Sequence, residues 1–203
     1  MATRLFEERA HTAIYRKYRL SPQENLQGVI FPYLEEKHPS ALARATTHVD
    51  CQLPGAHSLR KDSDTSHKCI ARVCPAEDLP FEDGSVDLVT AFAAVHWFDG
   101  PRFLREVDRV LKPSGCVVFS SYNWDMQLCY KDCTDELTEI FREHALNSEI
   151  LDFKLVENDY QEIFDSLPFQ EKQRFLETMG VSSRDTQLEL CTKHICILGC
   201  KSS

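Results

Sequence analysis

From Val86 to Val95 the chain is almost continuously apolar, interrupted only by Asp87 and Thr90. An alternating strand buries one face, whereas an unbroken apolar run buries both, as in a parallel sheet covered by helices. The run follows Glu82-Asp83-Gly84-Ser85, a turn sequence. Pro101 then opens a helix in its first turn, where a missing N–H costs nothing. Phe103, Leu104, Val107, Val110 and Leu111 continue it as one apolar stripe at helical spacing. Lys112-Pro113-Ser114-Gly115 stops the helix, and Cys116-Val117-Val118-Phe119 begins another strand. Strand, helix and strand joined by short loops predict a right-handed βαβ unit.

The flanks are less regular. Residues 1–20 form a polar-rich helix candidate with Phe6, Ile14, Tyr15 and Tyr18 as its large side chains. Ser21 is an N-cap, Pro22 sits at N1 and Glu24 at N3, which predicts a capping box and a helix over 22–37. Pro32 is expected to end or kink that helix. Residues 38–68 read as irregular, and Cys69–Cys74 as a short strand. Downstream, helical spacing predicts helices over Leu137–Leu146 and Phe169–Met179, the latter ended by Gly180. Asp152–Phe164 reads as a helix or a mobile segment, and the last strand falls near Gln187–Leu198.

Composition narrows the possible partners. A hydrophobic content of 42% and a charged content of 27% describe an ordinary globular domain, and 203 residues suffice for one core. The net charge of −9 argues against nucleic acid, because phosphate binding needs clustered Lys and Arg. No apolar run approaches the roughly 20 residues that span a bilayer, so no membrane contact is expected. Met1–Arg9 lacks the apolar centre of a signal peptide, which makes a cytoplasmic location the expectation. The nine cysteines are then expected to be free, mostly buried thiols. Cys191, His194, Cys196 and Cys200 raise the possibility of zinc, but they lie on a predicted strand where period two places His194 and Cys196 on one face. No metal is expected.

The stretch Val73–Tyr122 resembles the middle of the class I S-adenosylmethionine-dependent methyltransferases. The branch it is most similar to is the type 11, trans-aconitate methyltransferase-like one. The resemblance rests on Ala76-Glu77-Asp78-Leu79-Pro80-Phe81, Asp83-Gly84-Ser85-Val86-Asp87-Leu88-Val89, and Arg109-Val110-Leu111-Lys112-Pro113-Ser114-Gly115. It implies an α/β Rossmann-like sheet in a single domain over 1–203, with an N-terminal helical cap at 1–37, the irregular segment at 38–68, and the α/β core at 69–203. The helical cap is itself similar to that of the trans-aconitate-like members.

By that resemblance the cofactor is S-adenosylmethionine and the acceptor a small molecule, with a carboxylate as the sharper expectation. Ala76 and Glu77 would face the adenine, and Ala91 and Phe92 would lie beside the methionine portion. Tyr15, Tyr18 and Arg19 would close over the cofactor. His96 would be the catalytic candidate and Trp97 an apolar wall for the substrate. Methyl transfer from a sulfonium is an in-line displacement, so positioning supplies most of the rate. The family's glycine loop, which lets backbone approach the cofactor, has no counterpart between Lys37 and Cys69, where Gly55 is the only glycine. The sheet is therefore expected to be incomplete, its first two strands missing. The alternative function is a shortened, inactive methyltransferase-like protein or binding module.

Overall fold

The computed structural model describes residues 24–37, 48–50, 74–123, 126–146, 158–182 and 189–202. In chain order the elements are α1 (Glu24–Lys37), β1 (His48–Asp50), β2 (Val86–Phe92), α2 (Gly100–Val110), β3 (Leu111–Tyr122), β4 (Gln127–Cys129), α3 (Thr134–Leu146), α4 (Gln161–Ser166), β5 (Glu171–Ser182) and β6 (Glu189–Cys200). A single 3-10 turn, Val95–Trp97, lies between β2 and α2. The six strands form one sheet. β1, β2 and β3 run parallel. β6 lies antiparallel between β3 and β5, and β4 continues along β6 beyond the end of β3.

Both sheet faces are covered, as the unbroken apolar run requires. On one face Phe103, Leu104, Val107 and Val110 of α2 pack with Ile163 of α4 over Val89, Ala91, Val117, Phe119, Ile195 and Ile197. On the other, Ile30, Tyr33 and Leu34 of α1 pack against Cys116, Val118, Cys196 and Leu198. Alternate residues of β3 and β6 thus point to opposite cores, which is the period-two rule applied to strands covered on both sides.

A single cation ties the entrance of β2 to the exit of α2. Arg109 donates from Nη1 to Phe81 O at 2.9 Å and to Asp83 Oδ1 at 2.6 Å. From Nη2 it donates to Leu79 O at 3.1 Å and to Glu106 Oε1 at 2.6 Å. Glu106 Oε1 also accepts from Leu79 N at 2.7 Å. The backbone joins in, with Gly84 N donating to Arg109 O and Ser85 N to Val110 O, both at 2.9 Å. Gly84 has φ +60, the left-handed region that the turn needs and glycine adopts without strain. Lys112 pairs with the mostly buried Asp87 at 2.8 Å, so Asp87 is structural.

Several sequence expectations are corrected. The buried strand ends at Phe92 rather than Val95, because Ala93 turns the chain with φ 49. Leu111 belongs to β3, not to the helix. Lys112–Gly115 loops out of the ladder: a step of two residues on β2 (86 to 88) faces a step of five on β3 (111 to 116). Pro32 does not end α1, which continues to Lys37. The segment 38–68, read as irregular, contains β1, which pairs parallel with β2 from His48↔Leu88 to Asp50↔Thr90.

The largest correction is Phe169–Met179. It is not a helix but most of β5, paired with β6 through all twelve residues from Glu171↔Cys200 to Ser182↔Glu189. Glu, Lys, Gln, Arg, Leu and Met favour helix intrinsically, yet a full-length ladder outweighs propensities of tenths of a kcal/mol per residue. The cysteines differ too. Cys116 and Cys200 stand opposite each other in the β3–β6 register, 4.1 Å apart at Cα, and form a disulfide. Of the segment Asp152–Phe164, only its end is a described helix, α4. The expected strand Cys69–Cys74 lies outside the described residues except for Cys74, which is not in a strand.

Two outcomes follow from these contacts. Arg109→Lys strips carbonyls Leu79 O and Phe81 O and the Glu106 carboxylate of forked donors, and is expected to cost about 1–3 kcal/mol in urea unfolding. Asp83→Asn, whose partner oxygen sits on an exposed side chain, is expected to cost much less. Equal losses would show that the exposed ion pair, not the carbonyl clamp, does the holding. Ser114 has φ 64, so Ser114→Gly is expected to gain up to about 1 kcal/mol by relieving left-handed backbone. A lower urea midpoint would contradict that.

Candidate functional site

Open parallel sheets bind ligands at the carboxyl ends of their strands. Here β2 and β3 end side by side, with Phe92 in register with Ser120. Ala93 then bends the chain, its N–H donating to Ser120 O at 2.7 Å. A left-handed alanine costs on the order of 1 kcal/mol, and that hydrogen bond to β3 holds it in place. Val95, 2% exposed, anchors the following 3-10 turn in the core. Trp97 N donates to Ala94 O at 2.9 Å and closes it. His96 and Trp97 are left half-buried at the strand ends, their ring centroids 5.2 Å apart.

The far side of this loop is fixed by α2. Asp99 caps the helix by accepting from Arg102 N at 3.1 Å. Its own N–H donates to Glu77 Oε1 at 2.8 Å. Glu77 therefore braces the loop that carries His96. Ala76, beside it, is half-buried and packs against the α2-side core.

On the opposite side, His96 Nδ1 is hydrogen-bonded to the hydroxyl of Tyr160, which lies just before α4. Tyr160 is 3% exposed. Burial pushes its phenol well above the usual tyrosine range, partly offset by a side-chain hydrogen bond from Ser121. Burial also pulls the His96 imidazole down to about 4, so it is neutral near neutral pH. Asp159 and Tyr160 both have left-handed backbone, φ 53 and 57. The Asn123 side chain holds the Asp159 carboxylate, and Arg174 Nη1 donates to Asp159 O at 3.1 Å. Thr192 Oγ1 in turn donates to Asn123 O at 2.8 Å.

The structure thus brings His96 and Trp97 together, with Glu77 bracing their loop through Asp99. Ala91 and Phe92 face opposite ways, as neighbours on a strand must. Ala91 is fully enclosed in the α2-side core, and Phe92 packs partly exposed on the α1 side. Tyr15, Tyr18 and Arg19 lie outside the described residues. Tyr160, Ser121 and Asn123 escaped the sequence reading, since nothing local links positions so far apart. Asn158-Asp159 ahead of Tyr160 is the one available signal, because Asn and Asp tolerate left-handed backbone.

Three of the four residues weighed for zinc have other partners. Cys200 is bonded to Cys116. His194 Nε2 lies 2.7 Å from Ser120 Oγ, and the Cys191 and Cys129 sulfurs are 3.4 Å apart. Cys196 is buried and its thiol pushed up to about 12. No described helix is long and apolar enough to cross a membrane.

His96 and His194 both have their pKa lowered by burial. For His96 the folded value of about 4 lies below the unfolded 6.5, so unfolding takes up a proton between them. Its contribution to stability is full above that window and is lost as pH falls through it. His96→Asn is therefore expected to flatten the decline in urea midpoint between about pH 7 and pH 4.5. An unchanged decline would show that His96 is not held neutral by the fold.

The sequence model of the "Methyltransferase domain" family matches residues 27–119, from α1 to the middle of β3. The mouse protein "Arginine-hydroxylase NDUFAF5, mitochondrial" is 32% identical over 101 residues, 49% of this chain and 29% of its own length. An "Uncharacterized methyltransferase" of Mycobacterium tuberculosis is 46% identical over 46 residues, 23% of this chain and 19% of its own. The chain spans less than a third of the length of the first curated relatives it matches. The solved structure of a "Putative Type II Methyltransferase" from Anaeromyxobacter dehalogenans superposes with a TM-score of 0.54 at 16% identity, over 86% of this chain and 97% of the other. Residues 27–119 thus resemble the sequence of that domain family, and the chain has a mixed α/β, Rossmann-like fold like that of the Anaeromyxobacter structure.

Proposed function

We propose that this chain transfers a methyl group from S-adenosylmethionine to a small-molecule acceptor whose reacting group is a carboxylate, as in the trans-aconitate-like branch. The observation that carries the reading is the pair His96 and Trp97, half-buried beside each other at the carboxyl ends of the parallel strands. A neutral His96 is poorly suited to strip a proton from an alcohol, because a base with a pKa of about 4 is weak. A carboxylate already carries the attacking lone pair and needs only to be oriented. The family match over 27–119 supports transfer over an inert binding module.

The described residues fit one side of the cofactor. The Ala76–Glu77 turn offers backbone and one carboxylate oxygen, Oε2, to a nucleoside, while Oε1 is engaged by Asp99 N. The half-exposed face of Phe92 adds apolar contact at the end of β2. When bound, S-adenosylmethionine supplies an electrophilic methyl group on its sulfonium. Trp97 walls the acceptor from water, and His96 orients it by a hydrogen bond. Tyr15, Tyr18 and Arg19 belong to the same proposal as covering residues.

Equilibrium dialysis with labelled S-adenosylmethionine is the direct test, followed by label transfer to a panel of small carboxylic acids. Micromolar binding and ester formation are expected. Absence of binding at millimolar cofactor would overturn the reading, and transfer confined to amines or thiols would overturn the acceptor class.

A further inference from the structure

The segment before α4 is under backbone strain and points a buried hydroxyl at the rim. Tyr160 is a bulky residue with φ 57, an outlier for such a side chain, and Asp159 before it has φ 53. Strain of this kind, on the order of 1–3 kcal/mol per residue, persists only where the surroundings over-determine it. Asn123, Arg174 and, one step back, Thr192 supply that restraint. Its result is that the Tyr160 hydroxyl meets His96 Nδ1, with the Ser121 side chain hydrogen-bonded to the same phenol oxygen.

The direction of these bonds follows from donor and acceptor strength. A phenol is a better donor than acceptor, and an unprotonated imidazole nitrogen is the strongest neutral acceptor among side chains. Tyr160 O–H therefore donates to Nδ1, and the phenol oxygen accepts from Ser121 O–H. The remaining ring proton must then lie on Nε2. We infer that Tyr160, backed by Ser121, is a positioning residue that fixes His96 as the Nε2–H tautomer. His96 then presents a hydrogen-bond donor to the acceptor molecule, which selects an oxygen lone pair such as that of a carboxylate. The inference rests on the proposed methyl transfer for its consequence, but the tautomer itself does not.

The test uses the full chain with 15N-labelled histidine. Two-bond 15N–1H correlation spectra of the wild type are expected to show His96 with a protonated Nε2 and a hydrogen-bonded, unprotonated Nδ1. Tyr160→Phe is expected to shift Nδ1 and yield a tautomer mixture. Ser121→Ala, a milder change should Tyr160→Phe fail to fold, is expected to shift Nδ1 in the same direction by less. A wild-type Nδ1–H tautomer, or an unmoved Nδ1 in both variants, overturns the inference. In turnover assays Tyr160→Phe is expected to lower kcat about tenfold, the worth of one well-placed hydrogen bond, with KM for S-adenosylmethionine unchanged. Unchanged kcat overturns the positioning role. A wild type without transfer to any acceptor would instead defeat the proposed function, and the spectra would still decide the tautomer.

Discussion

The forked guanidinium of Arg109 is the constraint on which the rest of the sheet depends. It holds two backbone carbonyls of the 79–81 turn and two carboxylates at once. Only a planar group with several fixed donors can do this, which is why arginine differs from lysine here. By fixing the turn against the last turn of α2, it sets the phase of both β2 and the helix that returns from it. The amino end of α2 is held separately, through Asp99 and Glu77. The loop carrying His96 and Trp97 is thereby suspended between two anchored ends, and its position follows from contacts on the far side of the helix.

This explains what the family resemblance actually recorded. The motif that reads Leu79-Pro80-Phe81 through Arg109-Val110-Leu111-Lys112 is a structural clamp, with Asp87 and Lys112 adding a third ion pair to the two of Arg109. Apart from Glu77, which braces the rim loop through Asp99 N, its clamp residues touch one another rather than the strand-end rim. A sequence can therefore carry this signal clearly and still say little about which side chains meet a ligand. β6 shows the complementary case. It pairs with β3, β4 and β5, so three strands depend on a segment whose own composition, rich in Cys, Ile and Leu, announced only a strand.

The fold was legible where local pattern and burial agree. The unbroken run of β2, the stripe of α2 and the strand at the carboxyl end all follow from hydrophobic periodicity, because in each case the apolar set matches the face that is covered. β5 was illegible for the opposite reason. Its helix-forming composition is overruled by a partner strand that local pattern cannot see. The disulfide shares that cause, since Cys116 and Cys200 become neighbours only once the β3–β6 register is set. At the site, His96 and Trp97 were found because they follow directly on a readable strand. Tyr160 was not, because its link to His96 spans 64 positions and depends on a strained turn.

That strain separates the rim from ordinary turns. Five described non-glycine residues have left-handed backbone, and three of them, Ala93, Asp159 and Tyr160, flank His96 from its two sides. A turn needed only for direction would be served by Gly or Asn, which adopt this conformation at little cost. Glycine at 160 would relieve the backbone and remove the hydroxyl, whereas tyrosine retains both the strain and the contact with His96. The contact with His96, not the turn, is therefore what only the tyrosine side chain supplies at position 160. Nothing in the structure explains Ala rather than Gly at 93. The two cases together locate the tension in the fold: one strained residue starts the His96 loop, and another supplies the hydroxyl that holds its ring.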